Sequence, residues 1–145
     1  MDRDAVLRSL LTERTVDIVT TGRRSGQART TEIWTTVVDG RVHILGTPNA
    51  VGADGRRHRR DGLANLIADP ALVLLLKTSV QVDLPGVAIP VVDEDERRRL
   101  FSAPEASWYR DAAASLDDLV AHGPAVAIRF TGPASWLTRA LTSTG

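Results

Sequence analysis

The sequence predicts a small β-barrel with helical decoration, a mainly β (α+β) fold of about six mostly antiparallel strands. Three observations carry that expectation. Short β-branched runs recur along the chain, among them TVDIVTT and RTTEIWTTVV. Strong two-residue turn signals join them, above all Asp39-Gly40. The early strands also follow one another too closely for the crossover helices that a parallel sheet requires.

Taken in order, Asp2 to Leu11 reads as a short helix with Val6, Leu7, Leu10 and Leu11 on one stripe. Thr15 to Thr21 is a strand ending at GRRSGQ, a turn bounded by Gly22 and Gly26. Arg29 to Val38 and Arg41 to Thr47 form the next hairpin around Asp39-Gly40, and residues 48–60 are a loop rich in Pro, Gly and Arg. Gly62 to Ala68 looks helical and is stopped by Asp69-Pro70. Ala71 to Leu84 reads as one long strand, which Pro85-Gly86 turns into Val87 to Val92. Asp93 with Glu96 resembles a capping box opening a helix through Phe101, and a second helix is expected over Glu105 to Ala121. Ala125 to Thr131 is the last strand, followed by a short amphipathic tail.

A chain of 145 residues, 43% hydrophobic, suits a single domain over residues 1–145 with one core. The longest apolar run, Leu72 to Leu76, has the size of a buried strand, far short of the ~20 residues of a membrane helix. The N-terminus lacks the apolar region of a signal peptide, so a cytoplasmic location is expected. Cysteine is absent, which excludes disulfides, cysteine-ligated zinc, iron–sulfur clusters and thiol nucleophiles.

Eighteen basic and 18 acidic side chains balance overall, but not locally. Residues 20–60 carry eight arginines against Glu32, Asp39 and Asp54. Residues 83–118 carry nine acids against four arginines. Arginine suits forked recognition of phosphate and carboxylate, so the first half is where an anionic ligand is expected. Its most informative segment is Thr20 to Thr31, TTGRRSGQARTT. Two glycines permit a backbone that exposes successive N–H groups, and Thr20, Thr21 and Ser25 add hydroxyls. Arg23, Arg24 and Arg29 add charge. Together these form a candidate phosphate nest, although a solvated basic turn would look the same. It is not a P-loop, since no Gly-Lys-Ser/Thr follows and a strand comes next.

Arg56-Arg57-His58-Arg59-Arg60 is a second basic cluster, read as an extension of that anion site beside the plainer reading of a surface loop. Nucleic acid is not the expected partner: net charge is zero and no aromatic pair is interleaved with the arginines. The histidines, 43, 58 and 122, have no carboxylate at ligand spacing, so no metal site is expected. No nucleophile elbow, metalloprotease helix or triad is present. Tyr109, beside Trp108, is weighed both as a hydrogen-bond or proton donor to substrate and as core packing.

TTGRRSGQARTTEIW resembles the signature of the deazaflavin-dependent nitroreductase family, a branch of the split β-barrel flavin-binding proteins. The likeness continues through Asn65-Leu66, Ala68-Asp69-Pro70 and Val82 to Phe101, and covers residues 15–131. It implies a split β-barrel, commonly a homodimer, that binds coenzyme F420. By the same resemblance the coenzyme's phosphate and anionic tail lie against Arg23, Arg24, Ser25, Gly26 and Arg29; the second basic cluster, read from its charge alone, adds Arg56, Arg57 and Arg59 to the tail site. Thr47 would hydrogen-bond the ring or substrate, and Tyr109 falls where relatives place substrate-pocket tyrosines. The aromatic pair that relatives carry before Asn65-Leu66 is replaced by Arg60 to Ala64. The implied activity is hydride transfer from reduced F420 to a small quinone, enone or nitro acceptor. The alternatives are an FMN-binding oxidoreductase on the same barrel, or a cofactor-free binding protein or non-redox enzyme.

Overall fold

The structure, a computed structural model, describes residues 2–21, 25–45, 69–111 and 115–144. Helix α1 (Arg3–Thr12) is capped by Asp2, whose carboxylate accepts from the Ala5 amide at 3.1 Å. Strands β1 (Thr15–Thr21), β2 (Ala28–Val38), β3 (Arg41–Leu45), β4 (Ala71–Leu76), β5 (Val82–Pro90) and β6 (Ala125–Phe130) form a closed barrel in the order β1-β2-β3-β6-β5-β4. Every neighbouring pair is antiparallel. Between β5 and β6 lie α2 (Glu94–Ser102), a 3-10 turn (Pro104–Ala106), the single turn α3 (Ser107–Arg110) and α4 (Leu116–His122). After β6 come a 3-10 turn (Gly132–Ala134) and α5 (Leu137–Thr144). The Gly62 to Ala68 helix lies outside the described residues.

Three expected elements differ in the structure. Ala71 to Leu84 is not one strand, because β4 ends at Leu76 and β5 begins at Val82. Pro85-Gly86, read as a turn, sits inside β5. Both residues fit there for physical reasons. The Pro85 carbonyl accepts from the Thr131 amide just past the end of β6, so the missing proline N–H falls where the ladder is finishing. A Cβ on Gly86 would lie 2.8 Å from Ile128 Cγ2 and 3.1 Å from the Arg129 carbonyl, so glycine lets β5 and β6 approach. The helix expected over Glu105 to Ala121 is likewise broken, and α4 restarts on Ser115, whose hydroxyl accepts from the Asp118 amide at 3.0 Å.

Asp39 and Gly40 take φ of +53° and +72°, the left-handed pair that a tight hairpin between β2 and β3 demands. Alternation along each strand then separates two cores. Inside the barrel are Val16, Ile18, Val42, Ile44, Leu72, Leu74, Leu84, Ile128 and Phe130. Outside it, under the α2–α4 layer, are Val38, Leu45, Phe101, Tyr109, Leu119 and Ala127. Strands β1, β3 and β5 run toward one end, the mouth. At the other end, the base, Val6 and Leu10 of α1 and Leu137 and Leu141 of α5 join the interior core and stopper the barrel.

Candidate functional site

The mouth is where the topology collects three of the sequence-predicted residues, Ser25, Gly26 and Arg29. On β1 the alternation turns Val16, Ile18 and Thr20 inward, and Thr20 is buried. Its Oγ1 has no hydrogen-bond partner among the described residues. A buried hydroxyl left this way costs about 1–3 kcal/mol, which a ligand or water polar group would recover. Directly across the β1–β2 ladder stands Arg29, in the same interior-facing register at the rim, and exposed. Two rungs further in, Thr31 faces Ile18.

The turn joining these strands ends in Ser25, Gly26 and Gln27, which are all exposed. The Ser25 hydroxyl accepts from the Gln27 amide at 3.2 Å. Gly26 has φ +69°, and a Cβ there would meet nothing within 4 Å, so backbone conformation and not crowding asks for glycine. A left-handed residue in a turn is one of the conformations that aims successive N–H groups at a common point. The structure therefore brings Ser25, Gly26 and Arg29 together around the buried Thr20. Arg23, Arg24, Thr47, Arg56, Arg57 and Arg59 lie outside the described residues. Thr21 and Leu45, which precede two of those stretches, stand at the mouth ends of β1 and β3.

Tyr109 is not at the mouth. It lies in the outer layer with no exposed surface, stacked on Phe101 with centroids 5.9 Å apart. Trp34 and Trp108 meet it edge-on at 6.2 and 5.8 Å. Burial pushes its phenol well above the ordinary tyrosine range, with the Arg97 charge opposing. A group with no exposed surface and a raised pKa is poorly placed to give a proton to a substrate.

His43 also belongs to this outer layer. It sits between Thr36 and Ala127 in the sheet, and burial pushes its pKa down to about 4. Among the described residues no cluster of three His, Cys, Asp or Glu side chains could hold a metal ion. No described helix is long and apolar enough to cross a membrane. Residue type alone did not single out Thr20 from Thr21; the signal that separates them is the period-two alternation of TVDIVTT, which turns only the first inward.

A closed six-strand antiparallel barrel with helices laid between its fifth and sixth strands defines the split β-barrel class. Solved structures share this fold at low identity. A conserved hypothetical protein from Mycobacterium tuberculosis superposes with TM-score 0.59 at 20% identity, covering 88% of this chain and 79% of that one. An F420-H2 dependent reductase (FDR-A) gives 0.52 at 18%, covering 80% and 94%. An FAD-binding protein from Mesorhizobium loti gives 0.56 at 12%, covering 91% of each. No curated protein sequence matches significantly. Residues 7–120 match the F420H(2)-dependent quinone reductase family, and the chain belongs to that family. It is an oxidoreductase, an F420-dependent reductase in the general sense.

The described residues fit such a coenzyme: an inward hydroxyl without a partner, a left-handed turn glycine and a rim arginine offer polar groups to an anionic tail.

Proposed function

We propose that the barrel mouth binds reduced F420 through Arg23, Arg24, Ser25, Gly26 and Arg29, with Arg56, Arg57 and Arg59 extending the tail site. The acceptor is a small quinone, enone or nitro compound. The observation that carries this reading is that Arg29 stands across the ladder from Thr20, whose buried hydroxyl has no partner among the described residues. When bound, the reduced deazaflavin supplies the hydride, and the protein's task is to hold and orient it. Arg29 and the turn neutralise the tail, the Thr20 hydroxyl offers a fixed hydrogen bond at the rim, and Thr47 donates to ring or substrate. The aliphatic interior below Thr20 keeps water from approaching the coenzyme from inside the barrel. Homodimerisation and a cytoplasmic location belong to the same reading, the first testable by sedimentation.

Fluorescence titration of the purified chain with oxidised F420 and, in parallel, with FMN tests it. Micromolar or tighter binding to F420 alone is expected. Binding to FMN alone moves the function to the alternative flavin, and binding to neither leaves the barrel a scaffold for another activity. Arg29→Ala weakens F420 binding by about 1.5–3 kcal/mol if the guanidinium makes a charge-assisted bond. An unchanged dissociation constant removes it from the site.

A further inference from the structure

At the base of the barrel, on its outer face, the chain carries a second polar constellation. The β3–β6 ladder ends where His43 pairs with Ala127, and beyond it Arg41 of β3 and Arg129 of β6 line one cleft. Both arginines are exposed. Two guanidiniums that line one cleft repel each other, and a counter-charge between them is favourable. The protein supplies none: among the described residues neither guanidinium has an ion pair or hydrogen bond. Asp39, at the hairpin tip two residues from Arg41, pairs with neither, and no acid lines the cleft.

Between the two arginines lies a cleft of about 110 Å³. Its floor is apolar, with Ile89 and Ala127 from the outer face and Ile128, Phe130 and Leu141 from the interior core at the base, and Ile89 is 38% exposed. Thr138 of α5 forms the facing wall. That wall is held in place: a Cβ on Gly40 would lie 2.8 Å from Thr142 Cγ2, so the β2–β3 hairpin and α5 are in tight contact beside Arg41. The two walls that β6 and α5 contribute fall outside the family match at residues 7–120, and the cleft stands at the end of the barrel opposite the mouth.

We propose that this cleft is a binding site for a small amphipathic carboxylate, its anionic oxygens held by Arg41 and Arg129 and its apolar body on Ile89, Ala127 and Leu141. Two forked guanidiniums answer the two carboxylate oxygens, and the apolar floor gives a reason to prefer a carboxylate with a hydrocarbon body over inorganic phosphate. The site does not depend on the coenzyme reading.

The test is an NMR titration of the isotopically labelled full chain with sodium benzoate and, separately, with inorganic phosphate. Saturable benzoate binding is expected, with amide shifts clustered at residues 40–41, 89, 127–130 and 138, and weaker binding of phosphate. Arg41→Gln and Arg129→Gln each weaken benzoate binding about tenfold or more. Both replace exposed side chains, so the fold should survive, and an unchanged amide spectrum elsewhere verifies it. Arg8→Gln, which removes an exposed arginine outside the cleft, leaves benzoate binding unchanged. The proposal is overturned by any of four results: no saturation, shifts centred on the mouth, phosphate binding as tightly as benzoate, or indifference to the two cleft variants.

Discussion

The interior of the barrel and the layer outside it are both tightly buried, yet they are built from different chemistry. The interior is aliphatic, with Leu74 and Leu84 wholly buried and Thr20 and Thr35 among its few polar side chains. The layer is aromatic and cationic. Phe101, Tyr109, Trp34 and Trp108 pack ring against ring, and two arginines reach in among the backbone carbonyls. Arg97 donates to the carbonyls of Val91 (2.8 Å), Leu119 (3.0 Å), Val120 (2.6 Å) and Gly123 (2.5 Å), while Arg110 donates to Phe101 and Ala103, both at 2.7 Å. The difference follows from backbone accounting. A closed barrel satisfies its own N–H and C=O groups, so its side chains need only fill space. Helix α4 has seven residues, and a helix leaves its last four carbonyls without internal partners, so side-chain donors must be brought to them.

Breaking each region should therefore look different. Leu74→Ala opens a cavity in the interior and costs about 4 kcal/mol of global stability, read as a lowered denaturant midpoint. Arg97→Met keeps the bulk but strips the carbonyls of donors, at about 3 kcal/mol. Its loss is concentrated in α2 and α4, so their amides exchange faster while those of β1 and β4 keep their protection. Uniform acceleration across the barrel strands would show that layer and barrel are one cooperative unit.

Acid sharpens the same contrast through His43. Its folded pKa, about 4, lies below the ordinary 6.5. The unfolded chain therefore takes up the proton first as pH falls. Stability is complete above pH 6.5 and declines between there and pH 4, by about 3 kcal/mol in all. His43→Gln should flatten that part of the pH–stability curve, and a curve of unchanged slope would mean another group titrates there. The smallest effect belongs to Tyr109→Phe, about 1 kcal/mol of stability with coenzyme affinity and turnover unchanged. A selective drop in turnover would return the hydroxyl to catalysis.

Much of the barrel was legible because alternation and hairpin chemistry are local. TVDIVTT, the stretch through Trp34 and the Asp39-Gly40 turn all fold as their patterns indicate. Pro85-Gly86 misled because its meaning is tertiary: glycine is there for the close approach of Ile128, which no local rule displays. The break before α4 could have been read from Ser115 with Asp118, an N-cap pattern inside a run of helix formers. The candidate site was legible as composition, through Ser25, Gly26 and Arg29, but not as geometry. That Thr20 is the inward hydroxyl and Tyr109 a buried ring depends on which face each element turns to its neighbours.

The stopper at the base of the barrel bears on the order of events during synthesis. Its two halves, α1 and α5, come from opposite ends of the described chain, and β6 is the strand that joins β3 to β5. A ribosome releasing this chain has delivered five of the six strands before the sheet can become a ring. Leu137 and Leu141 emerge later still. Until then the edges of β3 and β5 and the aliphatic lining beneath them face water or a chaperone, so the nascent chain is most open to mispairing in the interval before residues 125–141 appear.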